Sequence, residues 1–442
     1  MQEMDLLFLA NRAKEIFTLY FNRFLVFFAN KVIPLSLSDA LARLVGFLVL
    51  ALIARRFGTE EIGLYNLGIV VAAYAISLSD LGTSQIGVRL VAGGHADREV
   101  VYTLSCRRLV LLSFALIFTV TYSYVQGAIG TVGPLFLAFP LSAIFAAFSH
   151  DWLFWGRERY WEMTFFGGIR ALTFLVGALL AFLLQGSIGA IALAYIVSYG
   201  TSMFWSWRRS RISSFGVFTT TTITTTKVLV IKEFAWLNML PLSLAIIVNQ
   251  LFHTGDILLL GVMSNEHQLG IYSMASRPLF VLFSIFYIGT TSVYPWLARK
   301  DKERTLKKKH SMMLVWGAGL MGLAFGAALY PLAGILLKFI FGDTNVSSEI
   351  ISVFHIRLWT LPFEFMLSTY GIFFNATGRN RALLIGSTFG ALTNLMGNIF
   401  LIPYSGAKGA AFVSIISYFV SILTFFIMTN LSLNDGEHER KN

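Results

Sequence analysis

The stretch EEIGLYNLGIV, residues 60–70, is answered about two hundred residues later by HQLGIYSMASR, residues 267–277. The shared Gly-hydrophobic-Tyr signature, Gly63-Leu64-Tyr65 and Gly270-Ile271-Tyr272, recurs at an offset of 207 and opens an apolar segment each time. Two further landmarks follow in the same order. WGRER at 155–159 is echoed by TGRNR at 377–381, an offset of 222. GSIGA at 186–190 and IVSY at 196–199 are echoed by GAKGA at 406–410 and IISY at 415–418, offsets of 220 and 219. Singly, each echo says only that glycine suits a tight turn or that arginine flanks an apolar run. Their collinear recurrence reads as one unit duplicated, and internal repeats are a hallmark of secondary transporters.

The unit is a set of membrane helices. The 442 residues are 56% hydrophobic and 13% charged, whereas a soluble domain carries roughly a quarter charged residues. Apolar runs of about 20 residues, each able to cross a hydrocarbon core of about 30 Å, fall at 32–54, 63–87, 107–126, 132–151, 163–185, 187–207, 234–262, 270–298, 311–341, 348–375, 382–402 and 407–430. Membrane strands would read instead as alternating segments of about ten residues. The expected fold is an all-α integral membrane protein of about twelve transmembrane helices. Because each half holds an even number of spans, the two copies share one orientation, giving two six-helix lobes around a central cavity. Residues 31–207 form the first lobe and 234–430 the second, joined by a Thr-rich cytoplasmic linker at 208–233. Residues 1–30 read as an interfacial amphipathic segment, and 431–442 as a cytoplasmic tail.

The net charge of +11 is explained by topology. With a cytoplasmic N-terminus, 26 Lys and Arg fall on the inside segments and four (Arg55, Arg56, Lys338 and Lys408) on the outside. This asymmetry places both termini in the cytoplasm and leaves no need for a nucleic-acid partner. The run RKDKERTLKKKH at 299–310 reads as a solvated loop near anionic headgroups, and the lone Cys106 as an apolar space-filler. No Gly-x-x-x-x-Gly-Lys-Ser/Thr phosphate loop occurs, and neither an enzyme nor a bound cofactor is expected.

Ionisable groups at membrane depth cost about 2.5–3.5 kcal/mol each, so each is a functional hypothesis. They are Asp39 and Arg43 on the first span, Asp80 and Arg89 at the end of the second, Arg170 on the fifth, Asp256 on the seventh, Arg277 on the eighth, and His355, Arg357 and Glu364 on the tenth. Asp39 and Arg43 are four apart and able to pair. Asp256, Arg357 and Glu364 read equally well as structural pairs. Arg277 stands just after the repeated signature and before Pro278, near an expected helix break. A lobe interface carrying Arg277, with Arg43 or Arg89, suits a phosphate or pyrophosphate, because guanidinium offers two-pronged hydrogen bonding. Gln85, Asn249, Gln250, Thr254, Tyr370 and Asn375 are candidates for sugar hydroxyls, and Asp39, Asp80 and Asp256 for the H⁺ or Na⁺ of a coupled cycle.

Four stretches carry a family resemblance: LIARRFGTEEIGLYNLG at 52–68, DWLFWGRERYWEM at 151–163, GDILLLGVMSNEHQLGIYSMASRPLF at 255–280, and FFNATGRNRALLIGSTFGALTNLMGNIFLIPYSGAKGAAFVSIISY at 373–418. With them the chain resembles the polysaccharide-transport family of flippases, the O-antigen and capsule exporters of the multidrug/oligosaccharidyl-lipid/polysaccharide exporter superfamily. The resemblance implies transfer of an undecaprenyl-pyrophosphate-linked oligosaccharide from the inner to the outer leaflet by alternating access. It also implies a cation-lined cavity and a glycan polymerase as a pathway partner. A multidrug or organic-cation antiporter of the same fold is the alternative, favoured by an anionic cavity. A membrane-embedded glycan polymerase or ligase would need a sizeable outer loop, and the outer loops here are shorter than about fifteen residues.

Overall fold

In lipid every backbone N–H and C=O must be satisfied within the protein, which leaves long apolar runs one local solution, the helix. The computed structural model describes residues 33–129, 138–212, 236–291, 293–303 and 308–438, and every regular element among them is helical. The first lobe comprises α1 (Ile33–Phe57), α2 (Thr59–Asp80), α3 (Thr83–Ala92), α4 (Asp97–Ile129), α5 (Ser142–Ala147), α6 (Asp151–Gly156), α7 (Tyr160–Leu183) and α8 (Ile188–Ser210). The second comprises α9 (Trp236–Met263), α10 (Glu266–Thr291), α11 (Tyr294–Lys302), α12 (Lys308–Leu329), α13 (Ala333–Phe341), α14 (Ser348–Leu358), α15 (Leu361–Ala376) and α16 (Asn380–His438). The expected segment 1–30 and the part of the linker from 213 onward lie outside the described residues.

Among the described residues nine helices are long and apolar enough to cross a bilayer, and α14 with α15 make one further span bent by 42°. The last of the nine is two spans merged at Gly406, whose φ of 51° and ψ of −129° are not helical. Of the remaining expected span, 132–151, residues 138–151 are described and carry the short helix α5. Among the described residues eleven passages result, five in the first lobe and six in the second.

Several expected boundaries move. The second span stops at Asp80 rather than 87, because Leu81 and Gly82 turn through left-handed φ values of 37° and 86°. The Asp80 carboxylate then accepts from the Gly82 and Ser84 N–H groups (3.3 and 3.1 Å) and starts α3. The eighth span stops at Thr291, and α11 follows as the counterpart of α3. The break expected at Pro278 does not occur: α10 runs through it, since a proline removes one hydrogen bond and surrounding helices tolerate that loss. The last helix continues to His438, into the expected tail.

The duplication is visible in backbone detail. Arg159 N–H donates to Phe154 O and Arg379 N–H to Phe374 O, both at 2.8 Å. The residues before them, Glu158 and Gly378, adopt φ of 56° and 69°. This pairs the two turns at an offset of 220, correcting the 222 suggested by their arginines.

One apolar core runs across both lobes and includes Leu67 and Val71 of α2, Leu260 of α9 and Ile271 of α10. The outer faces expose leucine and phenylalanine, as at Leu183 and Phe339, because lipid tails are as apolar as the side chains.

Candidate functional site: a cavity between the lobes

The helix ends that carry residues 89–108, 157–159, 208–211, 299–302 and 379–381 define a basic end of the bundle. At the opposite, far end the lobes are sealed. Gly63 of α2 meets α10 so closely that a Cβ there would lie 2.6 Å from Glu266 O, and a Cβ on Gly270 would overlap Thr59 O. Asn66 Nδ2 donates to Ser273 Oγ at 2.7 Å. Arg55 Nε donates to Ile340 O at 3.0 Å, and Asn345 Nδ2 to Ala54 O at 2.8 Å. On one flank α9 holds the first lobe along its length: Tyr122 Oη donates to Leu258 O (3.0 Å), Tyr74 Oη to Gln250 O (3.2 Å) and Ser243 Oγ to Leu81 O (2.8 Å).

Between these contacts lies a cavity of about 720 Å³ lined by both lobes. Its walls run from mid-bundle to the basic end, where Asp39, Arg43, Tyr287 and Asn375 are exposed. The first lobe contributes α1, α2, α7 and α8, and the second α9, α10, α15 and α16.

Three guanidiniums face it: Arg43, Arg170 and Arg277. Arg43 Nε donates to Asp39 at 2.9 Å, and both side chains are largely exposed. Such a pair is worth at most about 1 kcal/mol and is easily exchanged for another anion. Arg170 lies over the Tyr199 ring, 4.9 Å from its centroid. Arg277 lies over Phe280 at 5.8 Å, and its Nη2 donates to Asn66 Oδ1. Its Nε is buried with no hydrogen-bond partner among the described residues. Neither Arg170 nor Arg277 has a carboxylate within ion-pair distance among the described residues. The cavity carboxylates are both engaged: Asp39 by Arg43, and Glu364 by Arg357 Nη2 at 3.4 Å. The site therefore presents surplus positive charge to whatever enters.

A polar-aromatic wall adjoins Arg170. Tyr195 and Tyr199, one turn apart on α8, share a 3.3 Å hydroxyl contact, and Phe174 meets Tyr195 edge-on at 5.4 Å. Asn249, His253, Thr254 and Asn375 supply further donors and acceptors. Tyr65 is buried at the cavity wall and its hydroxyl has no hydrogen-bond partner among the described residues. Apolar and aromatic faces with a few convergent polar groups are the usual lining of a ligand site.

Of the residues singled out in the sequence, the structure brings Arg277, Arg43, Asp39, Asn249, Thr254 and Asn375 to this cavity. It takes others elsewhere. Arg89 and Gln85 are exposed on α3 at the basic end, because the chain turns at Leu81-Gly82 before reaching them. Gln250 faces the seam with α2, its amide donating to Thr254 at 3.3 Å. Tyr370 is fully buried within the second lobe and stacks on Phe374 at 5.9 Å. Asp80 is held by Arg108, Thr83 and Ser84 in a structural cluster. Asp256 is buried in the second lobe, accepting from Tyr272 Oη and from the Ile257 N–H at 2.8 Å. Arg170, in the sequence only a charge in a span, also lines the cavity, and the cost of burying it is the signal that points there; Tyr65, Tyr195, Tyr199 and His253 join it with no such signal in the sequence.

The profile of the family described as "Polysaccharide biosynthesis protein" matches residues 28–301, more than half of the chain, and that of MatE matches 241–400. No curated protein matches the sequence. Solved structures share the fold at low identity. "Lipid II flippase MurJ, inward closed conformation" is 15% identical with a TM-score of 0.71, over 89% of this chain and 87% of that one. An inward-facing multidrug resistance MATE family transporter is 16% identical with a TM-score of 0.62, over 92% and 98%. A MOP superfamily transporter from Pyrococcus furiosus is 15% identical with a TM-score of 0.55, over 92% and 95%. With its two-lobed helical fold, the chain belongs to the polysaccharide biosynthesis protein family.

Proposed function

We propose that this protein is a flippase that carries an undecaprenyl-pyrophosphate-linked oligosaccharide from the cytoplasmic to the outer leaflet of a bacterial inner membrane. The carrying observation is a cavity common to both lobes in which Arg170 and Arg277 stand without carboxylate partners among the described residues. The pyrophosphate docks on Arg277, assisted by Arg43 released from Asp39, the glycan lies along Arg170 and the tyrosine wall, and the lipid tail stays in the bilayer. The excess of basic residues orients the basic end and both termini to the cytoplasm, so the mouth of the cavity faces the side on which such precursors are assembled. The sealed far end then opens as the lobes rock.

Two negative charges leaving an interior-negative membrane of 100 mV gain about 4–5 kcal/mol, a bias sufficient without ATP. A coupling cation is the further driving force in this reading, with Asp256 as its candidate site. Asp39 stays within the cavity as the counter-ion of Arg43, and Asp80 is assigned to stability. A glycan polymerase accepting the product on the outer face completes the proposed pathway.

The second reading, a multidrug antiporter, has the MatE match and two cavity carboxylates in its favour. Both carboxylates are already paired with arginine, which favours an anionic cargo over a cationic one. The test is translocation of a lipid-linked oligosaccharide in proteoliposomes. Arg277→Ala is expected to abolish it while the protein folds, and full retained transport would refute the docking role.

A further inference from the structure

We infer that Asn66 is the positioning residue through which occupancy of Arg277 unlocks the far-end seam, an inference that rests on the docking role proposed above. Asn66 is buried in α2, one turn from Gly63, and it joins three groups. Its Nδ2 donates to Ser273 Oγ across the seam at 2.7 Å, and the Ser273 hydroxyl donates on to Leu269 O at 2.7 Å. Its Oδ1 accepts from Arg277 Nη2. Asn66 and Ser273 hold the same place in the two copies of the signature, as do Gly63 and Gly270. The repeat thus meets itself at the seal, and one cavity arginine is tied into it.

That tie is a poor rest position for a guanidinium. Nη2 leans on a neutral amide, and Nε is buried without a hydrogen-bond partner among the described residues. A phosphate in the cavity offers charge-assisted bonds about twice as strong as neutral ones, in a two-pronged geometry that fits guanidinium. Docking therefore draws Arg277 off Asn66. The Asn66 oxygen is then left in a buried seam without its donor, which penalises the closed arrangement. A ligand shifts a conformational equilibrium only by a difference in contacts between the two states, and the Asn66–Arg277 bond is such a difference. With the cavity empty, the same bond keeps the far end shut, so empty opening is disfavoured.

The experiment places spin labels at the exposed, repeat-related positions Glu60→Cys and His267→Cys after Cys106→Ser removes the one native cysteine. Distances across the seam are measured by pulsed electron paramagnetic resonance on the full chain in nanodiscs, with inorganic pyrophosphate as the probe. The expected result is a single short distance without pyrophosphate and a longer population with it. Asn66→Ala is expected to show the longer population with no pyrophosphate present. Asn66→Asp, which gives Arg277 an ion pair, is expected to keep the short distance and to need at least about tenfold more pyrophosphate to open. The two variants moving in opposite directions separates a latch from a merely structural asparagine. Asn66→Ala remaining as closed as the wild type would overturn the latch. A wild-type seam unmoved by pyrophosphate, with Asn66→Ala open, would overturn the docking role of Arg277 and support the latch.

Discussion

Gly63 and Gly270 stand at the same place in two copies of one signature and pack against each other's helix at the far end of the bundle, with no room for a Cβ on either. This contact seals the cavity in the observed state. Overpacking of such a site costs about 1–3 kcal/mol, here charged to the sealed arrangement alone. Gly270→Ala is expected to fold, to expose the cavity from the far side, and to lose most transport. Labelling of a cavity cysteine by an impermeant maleimide added outside checks it, and unchanged labelling with normal transport would refute the seal.

Arg170 and Arg277 are expected to weaken cargo binding more than Arg43 or Arg89 when replaced by alanine. Hydrogen bonds to charged groups are worth about 1.5–3 kcal/mol, or about ten- to a hundredfold in affinity. Arg43 is already shared with Asp39, so a smaller effect is expected there, and Arg89 on α3 lies off the cavity. Binding of a lipid-linked pyrophosphate to the purified variants gives the ranking. An Arg89 effect as large as that of Arg170 would contradict the assignment.

Asp80 and Arg108 form a partly buried ion pair that ties α2 to α4, with Arg108 also donating to Thr83 Oγ1 (2.9 Å) and Ala147 O (2.8 Å). Removing one partner of a buried pair costs about 3–5 kcal/mol, because the other charge is left behind. Arg108→Ala is therefore expected to lower thermal stability sharply in detergent. Asp39→Asn, at an exposed pair, is expected to change stability by less than about 1 kcal/mol.

Asp256→Asn separates coupling from docking. If a cation binds there, transport driven by an imposed Na⁺ or pH gradient at zero potential is expected to fall, while pyrophosphate binding at Arg277 persists. Gradient-driven transport equal to the wild type would remove Asp256 from the cycle.

The helices, their number and the duplication were legible along the chain, because hydropathy over about 20 residues and the recurrence of Gly-x-Tyr are one-dimensional signals. Arg277 was legible too, since a charge beside a repeated motif stands out in an apolar segment. Arg89 misled because the apolar run continues past Asp80, whereas the backbone turns at Leu81 and Gly82. Tyr370 and Asn375 lie five residues apart on α15, yet one is buried in the lobe and the other is exposed at the cavity mouth. Nothing in composition distinguishes them.

The sequence by itself determined an all-helical membrane protein of two repeated halves, because burial of backbone polar groups in lipid and the loop distribution of positive charge need no knowledge of neighbours. Only the tertiary structure decided which charges meet. The rotation and tilt of each helix are set by packing against the others, and these turn Arg170 into the shared cavity, bind Asp80 to Arg108, and bring Asn66 of one half against Ser273 and Arg277 of the other.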